Sequence, residues 1–296
     1  TGIGGNGSAG GNGGAGGNGS AGGNGGAGGN GGAGSVISSS NINITNRSVI
    51  LGGAAGTGGA GGAGGAGGAG GAGGAGGAAG TGGAAGTGRA NGTAGANGTA
   101  GANGTAGANG TAGANGTAGI GVKVAGAYAT IVNSGTIRGG SGWNAQSAQG
   151  NAIQVSALGS RIINSGTIAA GTGASTAVFY QTGADNAQFE IQNGSQITGN
   201  VDARAINSAT LVVGTGAQTQ GTFNVSAIDT QYLGFNSFVK EGASNTLTLT
   251  GSNSGVTPWT INEGALAISN DNQLGASSNA LTFGSKAGNT GTLEVN

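Results

Sequence analysis

The sequence predicts an all-β chain of stacked repeats, interrupted by glycine-rich segments. Short runs rich in Val, Ile, Thr and Phe, separated by Gly, Asn and Ser, follow Ile120. One strand–turn–strand unit recurs in these runs, and elsewhere Gly occupies every third position. Alternation in "TLTLT" places Leu247 and Leu249 on one face of a strand. No long stretch carries the apolar stripe of an amphipathic helix, so the foldable part is predicted to be all-β.

The recurring unit indicates how the strands are arranged. Its four copies are "ITNRSVI" (44–50), "IVNSGTI" (131–137), "IINSGTI" (162–168) and "IQNGSQI" (191–197). Strand–turn–strand repeats with polar corners are typical of a β-solenoid, in which each coil stacks on the last. Val, Ile and Leu would then point inward, and the corner Asn residues would form a hydrogen-bonded ladder. A β-sandwich is the structural alternative, but it does not explain the repeated unit.

Two glycine-rich segments hold a strict three-residue phase. Every third residue is Gly from Gly4 to Gly34 and again from Gly53 to Gly119, where only Arg89 interrupts. A helix of the polyproline II type has three residues per turn, so these glycines would line one edge and let a neighbouring backbone approach. Collagen is not expected, because the single proline, Pro258, lies elsewhere.

We therefore predict a polyglycine II-like bundle whose backbones pair, with Ala on the contact faces and Asn, Ser and Thr turned to water. A chain reversal is expected within residues 78–91. Disorder is the alternative, because ordering each residue costs about 1–2 kcal/mol and these segments bury little apolar area.

The glycine phase divides the chain into four parts. Residues 1–34 form a Gly-rich arm, 35–51 an isolated solenoid coil, 52–119 a Gly-rich insertion, and 120–296 the main solenoid. All aromatic residues lie beyond Gly119, in this last part. The 17-residue island 35–51 is too short for a domain but long enough for about one coil.

Composition argues against several functions. Acidic and basic residues number eight each, so electrostatic binding to nucleic acid is not expected. His and Cys are absent, which removes a Ser–His–Asp triad and the usual soft metal ligands. The repeats also lack the Asp of calcium-binding nonapeptides. We predict no catalytic, cofactor-binding or metal-binding residue, and no cofactor.

Two other functions are possible for such a chain. The first is a carbohydrate-cleaving enzyme, which would need two carboxylates within about 5–10 Å of each other. Its Trp143 and Trp259 could stack on sugars. Isolated tryptophans, however, more often fill the core. The carboxylates are Asp185, Glu190, Asp202, Asp229, Glu241, Glu263, Asp271 and Glu294. An ice-binding face on the Gly-rich array is the weaker alternative, because its Thr residues recur only about every 19 Å.

Residues 246–296 resemble the passenger-associated transport repeat of bacterial autotransporters. The matching elements are "LTLTG", "WTINEGALAIS", "NQLGASSNALTF" and "GTLEVN". One departure is "VTPW", where the family often has a Thr-Gly-Gly turn; Pro258 is therefore expected at a strand start or an edge.

The resemblance implies a right-handed parallel β-helix that is displayed on the cell surface, anchored to the outer membrane or secreted. It also implies a translocator barrel and an export signal outside this chain, which we expect to be a fragment of a longer protein. The expected function is that of a structural stalk and adhesin. Its expected partners are proteins or glycans on host or neighbouring cells.

Overall fold

The computed structural model describes residues 5–78, 90–142, 150–215, 220–243, 245–286 and 289–296. Arg89, Trp143 and most of the predicted reversal within 78–91 lie outside the described residues. The chain divides into two compact units. Unit 1 is Thr1–Ala27 with Gly58–Ala114, and unit 2 is Gly28–Thr57 with Asn115–Asn296. All three points at which the chain passes from one unit to the other therefore fall within the glycine-rich segments.

Unit 1 consists of three extended segments joined by backbone hydrogen bonds, here called glycine segments 1 (5–27), 2 (58–78) and 3 (90–114). Segment 1 donates to segment 3, from Gly7 N–Thr93 O at 2.8 Å onward in steps of three residues. Segment 2 donates to segment 1, as in Gly77 N–Ser8 O at 2.7 Å, and segment 3 donates to segment 2. Segments 1 and 3 therefore run parallel, and segment 2 runs antiparallel to both. This is the backbone pairing that the three-residue phase predicts.

Glycine is needed in unit 1 because the segments approach through their backbones. A Cβ atom built at Gly19 would lie 1.8 Å from the carbonyl oxygen of Gly65, and one at Gly64 would lie 1.8 Å from that of Gly107. The alanines of the three segments are exposed. The expectation that Ala forms the contact faces is therefore wrong, since a methyl group is too large for this spacing.

The described residues of unit 2 form four sheets, whose strands are numbered in chain order. The first sheet is β1 (Ser35–Ile37), β4 (Val122–Val124), β7 (Ile153–Val155), β10 (Thr176–Tyr180), β13 (Asn200–Asp202) and β16 (Tyr232–Leu233). The second is β2 (Asn43–Asn46), β5 (Thr130–Asn133), β8 (Arg161–Asn164), β11 (Ala187–Gln192), β14 (Ala209–Thr215), β17 (Ser237–Lys240), β19 (Trp259–Ile261) and β21 (Leu281–Phe283). The third is β3 (Val49–Leu51), β6 (Thr136–Arg138), β9 (Thr167–Ala169) and β12 (Gln196–Thr198). The fourth is β15 (Gln220–Asn224), β18 (Thr246–Thr250), β20 (Gly264–Ile268), β23 (Asn289–Val295) and β22 (Ser285–Lys286).

The all-β prediction is confirmed, and the pairing is parallel throughout the described strands except between β22 and β23. Two short 3₁₀ turns, Val225–Ala227 and Asp271–Gln273, are the helical elements of the described residues. Parallel ladders fit stacked repeats better than a β-sandwich, whose sheets are antiparallel. Pro258 directly precedes β19, the strand-start position predicted for it.

Each of the first four repeats contributes one strand to each of the first three sheets. The island 35–51 supplies β1, β2 and β3, which pair in register with β4, β5 and β6. The next repeat, which supplies β7, β8 and β9, pairs with these in turn. Residues 52–119 are thus inserted between two repeats that are neighbours in the sheets.

One copy of the repeated unit, residues 191–197, pairs with its neighbour in a different register from the one that the sequence predicts. The similarity of 191–197 to 162–168 predicts that Ile191 aligns with Ile162, but Ile191 pairs with Asn164 and Phe189 pairs with Ile162. Ile197 does pair with Ile168. The turn after β11 is longer than its counterparts, so the strand before it shifts by two residues and Phe189 takes the inward position.

The core of unit 2 is a set of inward columns. In the second sheet Ile131, Ile162, Phe189, Leu211 and Phe238 follow one another in register, and each is at most 1 % exposed. Burying such a side chain stabilises a fold by about 1.5–3 kcal/mol. Stacking alone therefore brings residues from distant parts of the chain into one core.

Candidate functional site

The corner Asn residues of the repeats form a buried ladder between the second and third sheets. Asn46 donates from Nδ2 to Asn133 Oδ1, and Asn133 donates in the same way to Asn164, each at 2.7 Å. Asn164 donates to Ser195 Oγ at 2.7 Å, where the fourth repeat has no Asn in register. The predicted ladder is present, and its members satisfy one another inside the fold. These residues hold the repeats together and are not available to a ligand.

The two buried carboxylates are each engaged by an arginine. Arg161 Nη2 donates to Glu190 Oε2, and Gln192 Nε2 donates to Glu190 Oε1 at 2.7 Å. Arg204 donates to both oxygens of Asp202, at 3.0 and 2.7 Å. This hydrogen-bonded guanidinium holds the pKa of Asp202 below its usual value. Both carboxylates have structural partners rather than the geometry of a general acid and base.

The remaining described acidic residues do not gather into a metal site. In the parts of the chain that the structure describes, no group of three or more His, Cys, Asp or Glu side chains could hold a metal ion. Asp185, for example, accepts a hydrogen bond from the backbone N–H of Asn207 at 2.7 Å.

Lys240 is a buried cation that the sequence analysis missed. Its Nζ lies 2.6 Å from Asn245 Oδ1 and 2.9, 3.2 and 3.0 Å from the carbonyl oxygens of Glu241, Gly242 and Glu263. Burial lowers the pKa of Lys240 to about 8, against the opposing effect of the Glu263 and Glu241 charges. The period of two in "SFVK" places Lys240 on the inward face with Phe238, so alternation was the signal that could have revealed it.

Trp259 lies in the core, where isolated tryptophans are more often found. It is 1 % exposed, pairs with Phe238 and Leu281 in the second sheet, and packs on Phe238 with ring centroids 5.5 Å apart. Its indole Nε1, however, is buried without a hydrogen-bond partner in the described part of the chain.

The concave surfaces in the described part of unit 2 include two of similar volume. The first, with a volume of about 490 Å³, lies between the turn 193–195, β15 and residues 245–248. The second, here called the loop pocket, has a volume of about 450 Å³ and is enclosed by the loop 271–280 and by Thr257, Trp259 and Leu281. The loop pocket combines an aromatic ring, small side chains and polar groups, as ligand pockets commonly do.

The recurring Asn residues of unit 1 have a structural role as well as an exposed position. The backbone N–H groups of Thr93, Thr99, Thr105 and Thr111 donate to the side-chain oxygens of Asn6, Asn12, Asn18 and Asn24 at 2.9–3.1 Å. Asn97, Asn103 and Asn109 likewise accept from the backbone N–H groups of Gly76, Gly70 and Gly64. In each case the Asn side-chain oxygen accepts a hydrogen bond from a backbone N–H group of the neighbouring segment. Asn is therefore not simply turned to water, which explains its six-residue period.

No protein-family model, curated protein or solved structure matches this chain. Among the described helices, none is long and apolar enough to cross a membrane.

Proposed function

We propose that this chain is part of a surface-displayed or secreted passenger of the autotransporter kind, which serves as a structural stalk and adhesin. Unit 2 would be a right-handed parallel β-helix, and the segments of unit 1 would be polyglycine II-like helices. The expected partners are proteins or glycans on host or neighbouring cells. A location at the bacterial cell surface or in the medium belongs to the same proposal.

The observation that carries this proposal is the register of the sheets. Parallel neighbours such as β5 and β8 superimpose equivalent residues of successive repeats, and the Asn ladder binds the same repeats through their corners. A stack of this kind gains length by adding repeats without needing a larger core. Residues 246–296, on which the family resemblance depends, contribute the six strands β18 to β23 to the described sheets.

The chemistry of the two units also supports a role in contact rather than catalysis. Glu190 and Asp202 are paired with arginines, whereas glycoside cleavage needs two carboxylates that face one groove. The exposed Asn, Thr and Ala side chains of unit 1 form a neutral surface. Many weak contacts on such a surface can add up to strong attachment when many copies are displayed.

A display experiment tests the proposal. The full chain would be fused to a heterologous translocator on a non-aggregating bacterium, and settling of the culture and binding to epithelial monolayers would be measured at equal display levels. We expect faster settling or more bound cells than with a passenger of similar length that lacks adhesive function. No gain in either assay would refute the adhesive function.

A further inference from the structure

The first repeat of unit 2 leaves one side of three strands without a neighbour. β1, β2 and β3 are each an outermost strand of their sheet, and no described strand pairs with them on the side away from β4, β5 and β6. This side is here called the open edge. Ser35 and Ile37 form backbone hydrogen bonds toward β4, so the N–H and C=O groups of Val36, which lies between them, point to the open edge.

The same alternation directs further backbone groups to the open edge. In β2 these groups belong to Asn43 and Thr45, and in β3 they belong to Val49 and Leu51. An unpaired strand edge is a template for another strand, and proteins commonly block such edges with Lys or Pro. Together with Val36, these positions carry neither Lys nor Pro. The open edge therefore remains able to pair with another strand.

Apolar side chains line the open edge. Val36, Val49 and Leu51 are 60, 58 and 56 % exposed. The residues in register with them in the next repeat are polar or charged: Lys123, Thr136 and Arg138. Exposed apolar side chains beside an unpaired backbone edge are typical of an interaction surface, because both features favour association.

The hydrophobic core is also incompletely covered at the open edge. Ile44 and Ile50 are only partly buried, whereas their partners in the next repeat, Ile131 and Ile137, are 1 and 0 % exposed. Those partners are buried because a repeat stacks on each side of them. A further layer of strands on the open edge would bury Ile44 and Ile50 in the same way, and would continue the interface that already joins the repeats.

We propose that the open edge binds the open edge of a second copy of this chain. A two-fold axis through β2 would pair β2 with its counterpart and β1 with β3 of the second copy, all antiparallel. Such a contact is self-complementary, because β1 and β3 each have three residues and none of the five residues with free backbone groups is charged.

The opposite side of unit 2 is less open to a second copy. There β22 pairs antiparallel with β23 and covers the outer side of that strand in the fourth sheet. A head-to-head pair is therefore favoured over head-to-tail stacking. The inference rests on the proposed function in one respect, because it names a second copy as the partner on a neighbouring cell.

Sedimentation velocity of the purified full chain over a series of concentrations tests the pairing. The three strands of the open edge have three, four and three residues, fewer in total than the about 20–30 residues that each side of a standard interface contributes. We therefore expect a weak dimer, with a dissociation constant on the order of 10 µM.

Two substitutions act on different features of the open edge. Val36→Pro removes a backbone donor that points to the open edge and leaves the hydrogen bonds to β4 in place, whereas Val49→Lys places a charge among the apolar side chains. Each should raise the dissociation constant at least tenfold. The matched control is Gln196→Lys, which places the same side chain at the equivalent exposed position of β12, three repeats further on, and should dimerise like the unaltered chain. Val49→Lys keeps the test decisive if Val36→Pro fails to fold.

Distances between spin labels test the head-to-head arrangement. The chain has no cysteine, so a single introduced cysteine can carry one label in each copy. Thr45→Cys lies near the proposed axis, and its two labels should be within about 20 Å of each other, because paired strands are about 4.8 Å apart. Val256, which is 72 % exposed, lies just before β19, six strands from β2 in the second sheet. Labels on Val256→Cys should therefore be about 60 Å apart.

The outcomes separate this inference from the proposed function. A chain that stays monomeric at about 100 µM, equal dimerisation in Val49→Lys, or labelled Thr45→Cys without a short distance would overturn the pairing. If displayed cells settle as fast with Val49→Lys as without it, the adhesive function stands without this pairing. Dimerisation by a chain that confers no adhesion would preserve the pairing and refute the adhesive function.

Discussion

Replacing a single glycine in unit 1 tests whether the glycine phase holds the segments together. Gly19 and Gly17 lie two residues apart in the same segment. A Cβ at Gly19 would lie 1.8 Å from Gly65 O, whereas a Cβ at Gly17 would meet nothing within 4 Å. The substitutions Gly19→Ala and Gly17→Ala therefore add the same methyl group to a closed and an open position.

The magnitude follows from the hydrogen bonds around the clash. Glycine segment 2 must move by at least about 1.2 Å for the new contact to reach 3.0 Å. That movement breaks bonds that segment 2 makes with its neighbours, namely Gly65 N–Ser20 O, Gly68 N–Gly17 O and Gly107 N–Gly65 O, now 2.7–2.8 Å long. At about 1 kcal/mol each the loss is about 3 kcal/mol. A more restricted unfolded chain offsets about 0.4–1 kcal/mol of this.

Gly19→Ala should thus destabilise the bundle by about 2–3 kcal/mol, and Gly17→Ala should stabilise it by about 0.4–1 kcal/mol. Hydrogen-exchange mass spectrometry of peptides covering 58–78 and 90–114 measures this local stability. We expect exchange to be roughly 30- to 150-fold faster in Gly19→Ala and slightly slower in Gly17→Ala. Equal exchange in the two variants would show that the segments do not pack through this glycine column.

Three further predictions concern unit 2. Asn133→Ala should lower the free energy of unfolding by about 2–4 kcal/mol, because it leaves buried amide neighbours unsatisfied; a shift below about 1 kcal/mol in urea denaturation would contradict the ladder's role. Since the pKa of Lys240 is about 8 in the fold and about 10.4 when unfolded, the unfolded chain binds more protons between these values, and stability should rise with pH across that window. Lys240→Met should abolish the rise, and a persisting slope would refute this assignment. The lowered pKa of Asp202 contributes stability above about pH 4 that is lost as pH falls through the folded pKa; Arg204→Ala should reduce this acid sensitivity, measured as the thermal midpoint against pH.

Much of unit 2 was predictable because strand repeats have a simple periodicity. The I-x-N-S-G-T-I unit identified the strands, the inward Ile positions and the Asn ladder, and the resulting pairs such as Ile131 with Ile162 are present. The register of Ile191 was not predictable from the similarity of residues 191–197 to 162–168, because the length of the turn that follows β11 decided it.

The loop pocket could not be found in the sequence. Trp259 and Asn279 are 20 residues apart, and neither their unpaired atoms nor the cavity between them follows from a motif. Both line the loop pocket because the loop 271–280 lies against the start of β19, where Asn279 Nδ2 donates to Gly255 O. Alternation could have shown that Lys240 points inward, but it could not have shown its acceptors, because these come from segments on both sides of β18.

The sequence alone determined which residues can approach closely and which must be inward: glycine at every third position permits backbone contact, and alternation assigns the inward side chains. Only the tertiary structure decided which segments pair and in which direction. It placed glycine segment 2 antiparallel to the other two, and it gave the Asn side chains the backbone N–H groups of a neighbouring segment as donors. The physical reason is that periodicity is a local property of the chain, whereas hydrogen-bond partners come from the neighbouring segments that folding brings together.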